Sequence, residues 1–300
     1  MATSQRSRSR RTGRERRTAA VIVPQLDPSW QSPYEPSSHE RDAHLHAVRR
    51  FAWRRRLPMT IAVGVVVVAA LVGAALISPW LVVLAVVAGA LYGWDLSRYS
   101  DRLSRQAGDL AGVLRSEFPV VGSTPERQRL GVVVERLSAT FGVDGVAPYV
   151  IDDAGYNATL VPEGDGWALL VTSAMIRDYE LIELEGVVAH CLARVRVGVA
   201  VRQAVAAMLN LDEVARRELS APGSVYRTDE VAAATIRYPS GLASALRRCA
   251  AQGPVAGSMS QRPSFAARRA IWLNPWADRR ESDLGDLDDP TVRAMALEEW

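Results

Sequence analysis

The apolar positions of the chain are distributed very unevenly. From Met59 to Trp94 they run almost without interruption, and no residue in the stretch is charged. As one helix it would rise about 54 Å, well beyond the roughly 30 Å hydrocarbon core of a bilayer. Proline disfavours helical backbone at the residue before it, so Ser78-Pro79-Trp80 is the expected break. Two spans result, Met59–Ile77 and Leu81–Trp94, predicted to form a transmembrane hairpin. Arginines flank both ends of the pair and the turn has none, which places both flanks on the cytoplasmic side. Trp80, Tyr92 and Trp94 fall where interfacial aromatic belts belong. A cleaved signal peptide is not expected, since 58 residues precede the apolar run.

Downstream the pattern becomes periodic. Leu103, Leu110, Val113 and Leu114 form the stripe of an amphipathic helix over 103–118. Ser123-Thr124-Pro125-Glu126 is a helix start, with a capping hydroxyl and proline in the first turn, and that helix runs to about Phe141. Tyr149–Asp152 and Trp167–Thr172 read as short strands, with Asp144-Gly and Asp165-Gly as turns. The apolar period from Ile182 to Met208 fits one helix or two, because Gly198 sits in the middle. Ser220–Ser224 reads as a loop, Asp229–Ile236 and Ser240–Ala251 as helices separated by Pro239, and 252–264 as a flexible surface loop. A closing helix over Pro290–Trp300 would turn Val292, Ala296 and Leu297 inward.

Composition adds a strongly basic N-terminal end. All 36 basic residues are arginine, a pattern that fits coding bias in a GC-rich bacterial genome better than phosphate recognition. Residues 1–38 hold an arginine run followed by a Pro/Ser-rich stretch, with no apolar face to bury, so disorder is expected. With a membrane segment nearby and no aromatics among the arginines, the tail is read as touching anionic headgroups rather than nucleic acid. Residues 39–58 are basic and partly amphipathic through Val48, Phe51 and Trp53, which suits a helix at the headgroup surface. His39 and His44 stand five apart and so on different helix faces. His44 and His46 are expected on an exposed polar segment. The two cysteines, Cys191 and Cys249, are too few for a disulfide framework and fit a reducing compartment.

The chemistry-bearing stretch is Glu183-Leu-Glu-Gly-Val-Val-Ala-His190-Cys191-Leu-Ala-Arg194. An H-E-x-x-H helix holds zinc between two histidines one turn apart, and the glutamate between them polarises the attacking water. Here Cys191 stands at the base position and Arg194 at the second histidine. Cysteine has no carboxylate for proton transfer, and arginine has no lone pair for a metal. The order Val150-Ile-Asp152, Asn157-Ala158, Val171-Thr-Ser173, then Glu183 to His190, resembles the HtpX and CAAX-prenyl-protease family of membrane-anchored zinc metallopeptidases. Ile271-Trp-Leu-Asn-Pro275 resembles that family's region near the C terminus, and the likeness covers about Arg127 to Trp300. The resemblance implies an α+β, mostly helical zincin-like domain with a small β-sheet over 97–300, behind a transmembrane hairpin over 59–96. It also aligns Val225 with the family's third metal ligand and preserves an aspartate as Asp229. Of three ligands and one base, only His190 remains.

Two readings follow. In the first, the protein is a catalytically inactive relative in the plasma (inner) membrane, with both termini cytoplasmic. It binds the bilayer and a membrane or cytoplasmic protein partner, and holds no cofactor. Its vestigial cleft is then His190, Arg194 and Asp229, with His190 hydrogen-bonded to Asp229 and Arg194 paired with Asp229 or a glutamate. In the second, it is a metalloendopeptidase whose zinc is held by His190, Asp229 and a carboxylate drawn from Glu180, Glu183, Glu185 or Glu230. A His190–Cys191 catalytic dyad is excluded, since adjacent helical residues point about 100° apart. Cys249, beside Arg247 and Arg248, is read as core rather than as a reactive thiol.

Overall fold

The computed structural model describes residues 34–76, 80–209, 211, 213–221, 223–275 and 289–300. The arginine run, the Ser78-Pro79 break with Ile77, and Pro222 of the expected Ser220–Ser224 loop lie outside the described residues. The described chain is mostly helical, with one small mixed sheet, an α+β architecture.

A long helix α1 (Ser38–Leu76) carries Pro58 inside it, and α2 (Trp80–Ala107) lies beside it. Thr60 Oγ1 meets the Tyr92 hydroxyl at 2.8 Å, and Arg56 faces Asp95 at 3.6 Å. Side chains such as Val65, Val66, Leu84 and Leu91 are more than half exposed. Helix α1 is long and apolar enough to cross a membrane, with a mean hydropathy of 2.1 in its most apolar window and none of that window buried.

The basic segment at the start of α1 does not lie free at a surface. Val48, Phe51 and Ala52 are buried in the packed domain, beside α7 (Val199–Met208), and only Trp53 of the expected apolar set stays exposed. His44 is half-buried and sits 3.2 Å from the Arg202 guanidinium, not in open solvent. The helix that 103–118 was expected to form is divided. Leu103 and Ala107 finish α2, and a new helix α3 (Leu110–Glu117) begins after Gly108-Asp109. Val113 is only half-buried, and Ala111 takes its place in the stripe.

The sheet is built from β1 (Val120–Val121), β2 (Val146–Ile151), β3 (Ala158–Glu163) and β4 (Gly166–Thr172), in the order β1-β2-β4-β3. β2 and β4 are parallel, and the outer pairs are antiparallel. β3, which the pattern did not single out as a strand, joins β4 through a two-residue turn where Gly164 takes a φ of 56°. Alternate residues face opposite sides. Val150, Leu160 and Leu169 enter one core, and Ile151, Val161 and Leu170 enter the other. Covering both faces explains why Ala168-Leu-Leu-Val171 has no polar alternation.

The first core is closed by α4 (Thr124–Phe141), α6 (Leu181–Val197), α9 (Ser224–Ile236), α10 (Pro239–Gln252) and α12 (Pro290–Glu298). The start of α4 is a full capping box between Ser123 and Glu126. Between β4 and α6 comes the short α5 (Ser173–Asp178), and between α7 and α9 comes α8 (Glu213–Ser220). Gly198, at φ 91°, ends α6 and separates it from α7. Along α6 the approach to α10 is so close that a Cβ on Gly186 would lie 2.6 Å from the Leu242 backbone nitrogen. The 252–264 stretch is not a surface loop throughout, since Ser258 and Met259 are buried and the Met259 amide donates to Asp153 at 2.6 Å. In α12, Pro290, Arg293, Ala294 and Leu297 face inward, while Val292 and Ala296 are exposed. The helix is rotated to bring an arginine into the interior.

Candidate functional site

Helix α6 is buried nearly all round, so each polar residue on it must find partners inside the protein. His190, Arg194 and Asp229 are each less than 5% exposed. Asp229 Oδ1 lies 2.6 Å from His190 Nδ1. An ionised carboxylate only accepts, so Nδ1 carries the proton and the other ring nitrogen, Nε2, is left with its lone pair. Nε2 has no hydrogen-bond partner among the described residues.

The expected pairing of Arg194 with Asp229 or a glutamate does not occur. Arg293 of α12 pairs with Asp229 instead, through Nε to Oδ2 at 2.8 Å and Nη2 to Oδ1 at 3.0 Å, while Nη1 donates to the Leu273 carbonyl at 2.7 Å. That two-pronged match of planar groups is the strong form of an arginine–carboxylate pair. Arg194 is turned toward the sheet and α7. Its Nε and Nη2 donate to Gln203 Oε1 at 3.1 and 2.6 Å, and Nη1 donates to the Ile271 carbonyl at 2.7 Å. Gln203 is held in turn, its Nε2 donating to the Ser220 carbonyl at 3.1 Å. No carboxylate pairs with Arg194 among the described residues.

The segment that receives Arg194 is fixed by Asn157. Its side chain donates to the Asn274 carbonyl at 2.8 Å and accepts from the Asn274 amide at 3.0 Å, while Leu273 N donates to Ala158 O at 2.9 Å. The Asn157-Ala158 and Leu273-Asn274 motifs therefore meet, and they present the Ile271 and Leu273 carbonyls to the two arginines.

These surroundings set the protonation states. Burial lowers the His190 pKa to about 4, with Arg293 and Arg194 adding to the effect against the pull of Asp229. Burial disfavours charge on Asp229, but Arg293 and then His190 outweigh it and hold the carboxyl down to about 2. Burial pushes the Cys191 thiol up to about 12 and Cys249 up to about 11, so neither is a poised nucleophile.

His190, Arg194, Val225 and Arg293 border a cavity of about 40 Å³, also walled by Thr228 and Trp272. The position aligned with the base is elsewhere, because Cys191 is packed into the apolar core. The four candidate glutamates are also engaged away from His190. Glu180 caps α6 reciprocally with Glu183, and Glu183 bonds Ser244 at 2.5 Å and Arg248 at 3.0 Å. Glu185 pairs with Arg136, and Glu230 pairs with Arg227 at 2.6 Å. Among the described residues no three His, Cys, Asp or Glu side chains come together in a group able to hold a metal ion. The cavity offers one imidazole lone pair and two guanidinium groups, a donor set that does not fit zinc.

The motif reading missed Arg293, although Pro290, Arg293, Ala294 and Leu297 have the spacing of a buried helical stripe. Gln203 carried no comparable signal. No family model matches the chain, and no curated protein matches it either.

Proposed function

We propose that this is a membrane-anchored protein with a zincin-like domain that does not hydrolyse peptides and acts as a binding or regulatory protein at the membrane. The observation that carries this reading is the occupation of the His190 site by arginine. Arg293 claims Asp229, and Arg194 stands beside the only remaining imidazole. A cation entering that cavity would meet two positive charges and one neutral nitrogen donor. Among the described residues no carboxylate lines that cavity to act as a general base, and Cys191 is buried and neutral.

Anchoring is supported by the exposed apolar surface of α1 and α2 and by the Thr60–Tyr92 and Arg56–Asp95 contacts between them. We read these helices as a two-span hairpin over 59–96 with both termini cytoplasmic, the bilayer as one partner and a membrane or cytoplasmic protein as the other. The protein reconstituted in vesicles is expected to stay in the membrane after alkaline carbonate extraction. It is also expected to leave unfolded casein intact, with or without added zinc. Chelator-sensitive cleavage that disappears in His190→Ala would establish the metalloendopeptidase reading instead.

A further inference from the structure

The two arginines at the cavity differ in what balances their charge. Arg293 is matched by Asp229. Arg194 is equally buried, yet among the described residues its hydrogen bonds go only to an amide oxygen, backbone carbonyls and a hydroxyl, all neutral. Its Nη2 carries two hydrogens and donates one hydrogen bond. A buried ion without a counter-charge is costly, and proteins usually pair such groups. Here the guanidinium borders a cavity instead.

We propose that this cavity is an anion site: a small monoanion, a halide or a single carboxylate-type group, binds there as the counter-ion of Arg194. Size supports that choice. A cavity of about 40 Å³ holds only a few water-sized particles, at about 10–15 Å³ each. That admits chloride or one carboxylate and excludes a phosphate ester or a sugar acid. The walls are compatible, because Val225 and Trp272 limit the space and no carboxylate lines the cavity among the described residues. At the ring of His190, a water bound with the anion can donate to Nε2. The inference needs no likeness to a peptidase and stands on the cavity alone.

The test uses the full-length protein in detergent, prepared in sodium gluconate and shifted at constant ionic strength to sodium chloride or sodium acetate. At anion concentrations near one hundred times Kd, the melting temperature should rise by roughly 5 °C. A response to both salts identifies a free-anion site, and a response to acetate alone identifies a site for a carboxylate borne by a partner. Arg194→Gln should remove the response. Val225→Glu places a carboxylate inside the cavity, and should melt no lower than the wild type in gluconate while losing its anion dependence. Identical melting in all three salts would overturn the proposal. So would a full response that persists in folded Val225→Glu.

Discussion

Arg293 and Arg194 invite direct comparison, because both are buried, both border one cavity and both serve elements that converge on α6. Arg293 is locked into a closed set with Asp229 and His190, in which each charge has an opposite charge within 3.0 Å. Among the described residues Arg194 is satisfied in most of its hydrogen bonds but meets no opposite charge. Hydrogen bonding and charge compensation are therefore separate requirements, and this site meets them separately. The closed set serves structure, while the open one leaves electrostatic energy available for a ligand.

The largest expected effect comes from breaking the closed set. Asp229→Ala removes the two-pronged partner of the buried Arg293 guanidinium and should cost roughly 3–5 kcal/mol in a urea melt. A loss below about 1 kcal/mol would show that the pair contributes little. Acid should weaken the same set in two stages. His190 has a folded-state pKa of about 4, against an ordinary value of 6.5. Its contribution is thus complete above pH 6.5 and lost as pH falls toward 4, on the order of 3 kcal/mol. Asp229, at about 2 against an ordinary 3.8, adds a further loss below pH 4. Stability profiles of the wild type and His190→Gln should diverge above pH 4, and parallel curves would contradict the assignment.

The packed edge of α6 gives an apolar reference. Gly186→Ala must push α10 away from α6, and should cost about 1–3 kcal/mol with no dependence on pH. The smallest effect belongs to Arg194. Arg194→Met strands no opposite charge among the described residues, only neutral acceptors such as Gln203 Oε1 and the Ile271 carbonyl, and should cost at most about 2 kcal/mol in an anion-free buffer. A cost equal to that of Asp229→Ala would erase the distinction between the two arginines.

Much of this was legible in the residues. The apolar run from Met59, the capping box at Ser123, the break at Gly198 and the strands around Val150 and Leu170 all carry local signals. The motif frame around His190, and the resemblance that aligned Asp229, together led to a contact between residues 39 apart in sequence. The arginine pairings were not legible in that way. Which of Arg194 and Arg293 takes Asp229 depends on the rotation of α12, and that rotation is set by Pro290, Ala294 and Leu297 packing on α9 and α10. The burial of Val48 and Phe51 was equally hidden. An arginine-rich amphipathic segment near a membrane has the same pattern whether its apolar stripe meets lipid or, as here, helix α7 of the packed domain.

On the proposal made above, side chains and not a metal ion complete this cleft. This is tested most directly by the zinc content of the full-length protein, purified in detergent without chelator and compared with His190→Ala. Far less than one zinc per chain is expected in both proteins. Near-stoichiometric zinc in the wild type, lost in His190→Ala, would contradict it.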